Sequence, residues 1–333
     1  MTVAYDFAAY TATQEPFDRI AGYHVMLQEA SGSEVLFLHP IWQQVWLRHF
    51  GKGLAAKLIV VRQGEMPIGF TGLGVAQERA QLLGSADVCD YLDCVVQPGH
   101  EMGFFAALFQ YARRSGIAVL DFSPVRGDSA VVRFGIPLAR QLGFSVACEQ
   151  EAVTFACDLP SSWDTYLVQL SGKQRHETRR KLRKTQGAGR ILYRTVHTKS
   201  DVDRSFDVFL RLFQESRQDK QEFLIPAREY FFRDIAMKLS SEGLAHLGFL
   251  DIDSIPVAAV LCFDYKKTRF LYNSGYDPRY RMVNPGFACK VFSIRDAIER
   301  GFFRYDFLKG AEPYKRHLGG MPEAVYRCSV TLA

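Results

Sequence analysis

Residues 285–307, PGFACKVFSIRDAIERGFFRYDF, decide the fold because they repeat an earlier part of the chain. The earlier stretch, residues 98–122, reads PGHEMGFFAALFQYARRSGIAVLDF. Both begin with Pro-Gly, continue with apolar residues at helical spacing, stop at a glycine and end in a short apolar run that closes with Asp-Phe. Each stretch therefore predicts a helix followed by a strand.

The two stretches belong to a longer internal duplication. Pro67 matches Pro256 upstream, and Asp121 matches Asp306 downstream, with nearly the same separation in each pair. Self-similarity at a constant offset indicates repeated copies of one structural unit. We predict an N-terminal domain over residues 1–165, a basic connecting helix over 166–195 and a C-terminal domain over 196–333.

The pattern between these landmarks predicts an α/β (α+β) fold, in which helices flank mixed, mostly antiparallel central sheets. In the second copy, two-residue gaps separate three apolar runs, which favours hairpins. Predicted strands of the first copy are residues 57–62, 68–75, 81–84 and 117–122, and those of the second are 245–252, 255–265, 268–275, 302–308 and 324–331. Predicted helices besides those of the repeat are residues 173–184, 204–218, 227–241 and 312–318.

The charge distribution is uneven and points to an anionic ligand. Residues 1–160 carry 11 Lys and Arg against 16 Asp and Glu, whereas residues 161–333 carry 30 against 20. The segment 171–190 alone holds eight basic residues and one acid. A basic half suits cofactor phosphates, a nucleic acid or a charged membrane surface, and composition does not choose among them.

The apolar segments and cysteines predict a cytoplasmic protein. No apolar run is long enough to span a bilayer, and the N-terminus does not resemble a signal peptide. The seven cysteines form no C-x-x-C pair and have no metal-ligand spacing with histidine. We expect buried thiols in a reducing compartment, with neither disulfides nor a metal site.

An anion site is predicted where the second copy's helix begins. Asn284 is a residue type that favours the position before a helix, and Pro285 suits its first turn. Gly286 lets a ligand approach the backbone, and Arg281 adds a positive charge to that of the helix N-terminus. A diphosphate fits this arrangement.

The spacing of Arg281, Asn284 and Gly286 resembles the (Gln/Arg)-x-x-Gly-x-(Gly/Ala) pyrophosphate loop of GNAT acyltransferases, with Asn in place of the first glycine. The resemblance implies that this loop binds acyl-CoA through Arg281, Val283, Asn284, Gly286 and Phe287. It also implies that no metal takes part. The first copy has Cys94-Val95-Val96-Gln97-Pro98-Gly99 at the equivalent place, without the Arg and Asn, and is interpreted as a degenerate scaffold and one wall of an acceptor groove.

Four segments in order resemble the CelD-like acyltransferases, which are double-GNAT proteins related to the FemABX peptidyltransferases. The segments are residues 83–93, the basic helix 173–184, residues 284–286 and residues 305–315. The resemblance covers nearly the whole chain from Phe37 onwards. It implies an amine acceptor, either a small molecule or a sugar-linked glycan amine, and substrate contacts from Asp90, Tyr91, Asp93 and Glu312.

Acyl transfer to an amine needs a base, an oxyanion donor and an acid for the leaving thiolate. The resemblance implies that a backbone N–H of strand 268–275 is the oxyanion donor and that Tyr314 is the acid. Asp306, at the end of its strand, is the candidate base or acceptor anchor, and Lys315 is a candidate to hold an anionic group or to polarise the carbonyl. Each also has a structural interpretation: Asp306 as a turn cap or ion-pair partner, and Tyr314 as a packed aromatic.

The leading functional hypothesis is CoA-dependent N-acylation. Two alternatives remain open at this point. One is a FemABX-like aminoacyl transferase that takes its acyl group from charged tRNA, the only nucleic acid expected as a partner. The other is a binding module without catalysis.

Overall fold

In a computed structural model, the apolar runs predicted as strands form mixed β-sheets. The structure describes residues 7–31 and 34–332, without the side chains of residues 28–31. The chain divides into two units, Met1–Ala152 with Ala324–Ala333, and Val153–Glu323. The predicted fold class, with helices flanking mostly antiparallel sheets, is confirmed.

The first unit contains most of the N-terminal half. Its helices are α1 (Ile20–Ser31), α2 (Pro40–Phe50), α3 (Glu101–Arg114) and α4 (Ile136–Gln141). Its strands are β1 (Tyr10–Glu15), β2 (Ala55–Gln63), β3 (Met66–Ala76), β4 (Arg79–Leu82), β5 (Val95–Val96), β6 (Val119–Arg126) and the first part of β7 (Ser145–Asp158). The strand order is β1-β2-β3-β4-β6, and β5 pairs with β3.

The second unit contains the rest of β7 and most of the later elements. Its helices are α5 (Trp163–Gln169), α6 (Gly172–Gln186), α7 (Lys199–Glu215), α8 (Gln218–Phe223), α9 (Pro226–Ser241), α10 (Pro285–Glu299) and α11 (Pro313–His317). Its strands are β8 (Ile191–Val196), β9 (Ala245–Ile252), β10 (Ile255–Tyr265), β11 (Thr268–Tyr276) and β12 (Arg304–Lys309). The order is β7-β12-β11-β10-β9-β8.

The internal duplication is visible in the topology. In the first unit β4 and β6 pair in parallel and are connected through α3, while β2, β3 and β4 are antiparallel neighbours. In the second unit β11 and β12 pair in parallel and are connected through α10, while β9, β10 and β11 are antiparallel neighbours. Parallel strands need a crossover connection, which explains why the repeated helix lies between them.

The sequence predicted that all residues from 196 onwards belong to one domain. The last strand, β13 (Met321–Thr331), instead belongs mostly to the first unit. Its residues from Val325 to Thr331 pair antiparallel with β6 of the first unit. The basic helix, expected as a connector, is part of the second unit as α6. Strand pairing assigns β13, and contacts within the second unit assign α6; the local sequence pattern specifies neither.

The strand β10 is apolar without alternation because both faces of it are buried. Val260 and Cys262 belong to the hydrophobic cluster that includes α10. On the opposite face, Phe263 contacts Tyr272 of β11, whose ring also contacts Phe232 of α9. A continuous apolar run is the expected sequence of such a strand.

The expectation that all seven cysteines are thiols was wrong for two of them. Cys148 on β7 and Cys328 on β13 lie on neighbouring strands and form a disulfide. Their 180-residue separation in sequence hid a contact that strand pairing creates. The other five, Cys89, Cys94, Cys157, Cys262 and Cys289, are free and buried.

Helix α7 packs so closely on β11 that only glycine fits at position 275. A Cβ atom there would lie 2.3 Å from the backbone atoms of Leu212 and Phe213. We predict that Gly275→Ala lowers the free energy of unfolding by about 3 kcal/mol, because the helix backbone must move to relieve the overlap. Urea unfolding followed by circular dichroism measures the change.

Gly172→Ala is the matched control, because a Cβ at Gly172 meets no atom within 4 Å. We expect it to leave the unfolding midpoint unchanged or to raise it slightly. Equal stability of wild type and Gly275→Ala would contradict the close approach of α7 and β11.

Candidate functional site

The N-terminus of α10 is built by one residue in the left-handed conformation. Asn284 has φ 56° and ψ 44°, and Pro285 follows as the first helical residue. Asn tolerates this conformation better than other side chains that carry a Cβ. The sequence expectation that Asn284 caps the helix with its side chain is corrected, since that side chain makes no capping hydrogen bond.

The first turn of α10 leaves backbone donors for a ligand. Among the described residues, none accepts a hydrogen bond from the N–H of Gly286 or of Phe287. The turn also contains no acidic residue. A Cβ at Gly286 would lie 3.0 Å from the ring of Tyr276, so glycine leaves more space between the helix backbone and this ring. Free N–H groups with an uncompensated helix dipole form an anion site.

The equivalent helix of the first unit is already satisfied. Glu101, the first residue of α3, accepts a hydrogen bond from the N–H of Gly99 at 2.9 Å. A carboxylate at a helix N-terminus disfavours a bound anion there. The interpretation of the first copy as a degenerate diphosphate site stays a prediction.

A pocket of about 230 Å³ lies at the N-terminus of α10. It is lined by Tyr276, Arg281, Asn284, Pro285, Gly286, Phe287, Lys290 and Tyr314. Arg281 is exposed, in the 3₁₀ turn Pro278–Val283. The structure therefore brings together four predicted cofactor residues and the predicted acid.

Two predicted cofactor residues also contact the basic helix α6. Thr185 donates a hydrogen bond from its Oγ1 to the carbonyl of Val283 at 2.6 Å. The Nζ of Lys181 lies 4.4 Å from the ring centre of Phe287. Val283 lies outside the pocket lining, so its role is to hold the loop on α6.

The described pairing of β11 with β12 is short. Their described parallel pairing covers Thr268–Phe270 with Arg304–Asp306. Beyond Asp306, β12 has a bulge against β7, and Leu308 adopts a positive φ of 59°. The edge of β11 beyond Phe270 is therefore free of β12, which leaves backbone groups of this strand for a ligand.

Asp306 and Lys315, the predicted base and carbonyl-polarising residue, hold this bulge. Asp306 is fully buried, and its Oδ1 accepts a hydrogen bond from the N–H of Leu308 at 2.7 Å. Lys315 is also buried, and its Nζ donates to the carbonyls of Leu308 and Lys309 at 3.0 and 2.5 Å. Neither residue lines the pocket. The geometry gives both a positioning role at the mouth of the strand gap.

Glu312, predicted to bind substrate, forms an ion pair with Lys315 at 3.2 Å. Burial acts to raise its pKa, but the adjacent Lys315 holds the pKa below its ordinary value. Glu312 is the residue before α11, and it lies outside the pocket lining. Its carboxylate therefore stabilises the bulge indirectly, through its ion pair with Lys315.

Tyr314 does line the pocket and packs edge-on against Phe307, with ring centres 6.3 Å apart. Burial, followed by the negative charge of Glu312, raises the pKa of its hydroxyl above the ordinary value. The hydroxyl is thus protonated at neutral pH, and its raised pKa makes it a weaker acid than an ordinary tyrosine.

Lys290 is a pocket residue that the sequence reasoning missed. It is 7% exposed, donates from Nζ to the carbonyl of Gly286 at 3.1 Å, and lies 4.6 Å from the ring centre of Tyr314. Burial lowers its pKa to about 8. The available signal was a lysine on the apolar stripe of α10, three residues after Phe287 and four before Ile294.

The predicted substrate residues of the first copy lie in that unit only. Tyr91 and Asp93 line a pocket of about 350 Å³, whereas Asp90 is outside its lining. Asp93 accepts hydrogen bonds from the N–H groups of Ala130 and Val131 at 2.8 and 3.2 Å. Burial raises the pKa of its carboxyl to about 6. Asp93 therefore caps the turn Val131–Gly135 at the wall of this pocket.

The described part of the chain has neither a membrane-spanning helix nor a metal-binding cluster. None of its helices is both long enough and apolar enough to cross a bilayer. Residues 7–31 and 34–332 contain no group of three or more His, Cys, Asp or Glu side chains placed to hold a metal ion.

The buried amine of Lys290 predicts a pH-dependent cost to stability. Because its pKa is lowered from 10.5 to about 8, the folded state disfavours the charged form. The cost is complete below about pH 8, decreases as the pH rises towards 10.5 and is absent above it. We predict that Lys290→Met raises the free energy of unfolding by about 1–3 kcal/mol at pH 7 and by much less at pH 10.

Urea unfolding of both proteins at the two pH values measures this difference. Lys199→Met, at an exposed position on α7, serves as the control and should show no pH-dependent gain. A gain for Lys290→Met that is equal at pH 7 and pH 10 would show that packing, and not charge, causes it.

Family and structure comparisons agree with this geometry. Residues 172–316 match the family model of the acetyltransferase (GNAT) domain. Among solved structures, FemX aligns with a TM-score of 0.64 at 12% identity, over 95% of this chain and 96% of that one. A conserved protein of unknown function from Bacteroides thetaiotaomicron aligns with a TM-score of 0.61 at 10% identity, over 96% and 99%.

A tandem GNAT protein from the clavulanic acid biosynthesis pathway aligns with a TM-score of 0.52 at 13% identity, over 97% of this chain and 98% of that one. No curated protein matches the sequence. At these identities the solved structures show the fold. Residues 172–316 are therefore similar to the GNAT acetyltransferase domain, and along nearly its whole length the chain has the fold of a tandem GNAT protein and of FemX.

Proposed function

We propose that the second unit transfers an acyl group from acyl-CoA to an amine. The observation that carries this proposal is the pair of N–H groups of Gly286 and Phe287, which have no acceptor among the described residues. With Arg281 beside them and no acid in the turn, they suit the CoA diphosphate. The GNAT domain match supports the same donor class.

The bound thioester supplies an activated acyl carbon, to which the amine nitrogen bonds while the carbon–sulfur bond breaks. The side chains at the pocket then have separate tasks. Tyr314 donates its hydroxyl proton to the departing sulfur and recovers a proton from the amine through solvent. The backbone N–H groups on the free edge of β11 are the proposed donors to the carbonyl oxygen. Asp306 and Lys315 keep the gap between the strands open.

The acceptor class is proposed from the resemblance stated above. It is a small-molecule amine or an amine on a glycan, and the expected location is the cytoplasm. The pocket of the first unit, with Tyr91 and Asp93 on its wall, is a candidate acceptor-binding region. Asp90 remains a candidate only through its neighbours in sequence.

The donor assignment predicts a ligand-induced gain in stability that depends on Arg281. Acetyl-CoA at saturating concentration should raise the unfolding midpoint of the wild type, because a ligand that binds the native state stabilises it. In Arg281→Ala we expect the midpoint shift to fall by at least half, since one phosphate contact is lost. Thermal unfolding measures both.

Arg295→Ala is the matched control, because Arg295 is an exposed residue of α10, the helix that begins at the pocket, and lies outside the pocket lining. It should keep the full shift. No shift of the wild type with acetyl-CoA or with longer acyl-CoA compounds would remove the leading proposal.

The acid assignment predicts a loss of rate without a loss of binding. Tyr314→Phe keeps the ring that packs against Phe307 and removes the hydroxyl. We expect the release of free CoA thiol from acetyl-CoA to slow by about 100-fold, a usual effect of losing a general acid. The midpoint shift with acetyl-CoA should stay as in wild type. Thiol release at the wild-type rate would exclude this role.

The second candidate is an aminoacyl transferase with a tRNA-borne donor, as the FemABX resemblance implies. The specific observation in its favour is a groove of about 560 Å³ on α6, lined by Arg175, His176, Arg179 and Arg183 among others. Salt-sensitive binding of charged tRNA, together with no midpoint shift from acyl-CoA, would favour it over the first candidate.

A further inference from the structure

The buried amine of Lys290 has no ion-pair partner among the described residues, and the charge of Glu312 acts on it only from a greater distance. Its partners are the carbonyl of Gly286 at 3.1 Å and the ring of Tyr314 at 4.6 Å. In the described part of the chain, no carboxylate lies within ion-pair distance of it. A buried ammonium group is costly unless an anion or strong acceptors surround it.

A second amine adds positive charge to the same region. Lys220 on α8 donates from Nζ to the carbonyl of Ser274 and lies over the ring of Phe213. Burial lowers its pKa to about 7, and the charge of Lys290 lowers it further. The nearby carboxylate, Glu312, is engaged by Lys315 at 3.2 Å. This side of the pocket therefore has more positive than negative charge.

The diphosphate of the proposed donor has partners of its own. They are Arg281 and the N–H groups of Gly286 and Phe287, at the first turn of α10. The amine of Lys290 lies between this turn and Tyr314, 3.1 Å from the carbonyl of Gly286 and 4.6 Å from the ring centre of Tyr314. Because Tyr314 is the proposed proton donor to sulfur, the amine then faces the reacting groups of the bound substrates. An anion on the acyl group or on the acceptor can pair with it there.

We propose that Lys290 binds a carboxylate of the substrate at the reacting end of this pocket. The inference rests on the proposed function and names its substrate class. The carboxylate is either the far end of a dicarboxylic acyl group or the carboxylate of an amino-acid acceptor. Both sources present the same anionic oxygens to the amine. Charge-assisted hydrogen bonds of this kind are among the stronger ones in proteins.

The donor arm compares two four-carbon acyl groups that differ in charge. Dissociation constants of succinyl-CoA and butyryl-CoA are measured by calorimetry with wild type, Lys290→Met and Lys199→Met at pH 7. If the acyl group carries the carboxylate, wild type and Lys199→Met bind succinyl-CoA about tenfold more tightly than butyryl-CoA. Lys290→Met binds the two equally. Its urea unfolding curve verifies that the variant is folded.

The acceptor arm compares amino acids with the matching amino-acid amides. Each is titrated into the protein in the presence of CoA, and the midpoint shift is recorded. If the acceptor carries the carboxylate, the amino acid raises the midpoint of wild type and its amide does not. In Lys290→Met this difference disappears. The two arms thus distinguish the two sources.

Three results would overturn the inference. The first is no preference for the carboxylate in either arm while butyryl-CoA still binds, which leaves the proposed function intact. The second is a preference that persists in Lys290→Met. The third is no binding of any CoA compound to wild type, which removes the proposed function and this inference together.

Discussion

The site depends on the short parallel pairing of β11 with β12. Three residue pairs join the two strands, from Thr268–Phe270 to Arg304–Asp306, and then the strands separate. The separation is maintained by a bulge in β12, where Leu308 has a positive φ and Asp306 and Lys315 satisfy the displaced backbone groups. The bulge lies where the described pairing of β12 with β11 ends, and it also shifts the register of β12 against β7.

Buried charge is therefore used in two ways within one unit. The amine of Lys315 donates hydrogen bonds to backbone carbonyls and pairs with Glu312, so its charge stabilises the local structure. Lys290 has one carbonyl and an aromatic ring, and its lowered pKa records the incomplete solvation. In the proposed complex a substrate carboxylate supplies the negative charge, so the residue that reduces the stability of the free protein would increase its affinity for substrate.

The duplicated unit shows how the same local sequence loses a site. Both copies keep Pro-Gly at the start of the helix, and both keep an aspartate as the third residue of the following strand. In the first copy Glu101 occupies the helix N-terminus, and Asp121 is half-exposed in an ion pair with Arg79. In the second copy the helix has no such acid, and Asp306 is buried. Conservation of a pattern between the copies thus does not conserve its chemistry.

The sequence by itself determined the repeated helix–strand unit, the hairpins, the capped basic helix and the loop at Asn284, because helical and strand periodicity, turn residues and capping residues act over a few positions. Ser171 and Gln174, for example, form the capping box that their spacing allows. Only the tertiary structure decided that β13 pairs with β6, that Cys148 meets Cys328, and that Lys290 and Tyr314 share a pocket while Asp306 and Lys315 do not. These outcomes depend on contacts between residues distant in sequence and on burial, which together determine the neighbours and the charge of each side chain. Neither leaves a signal in the local sequence pattern.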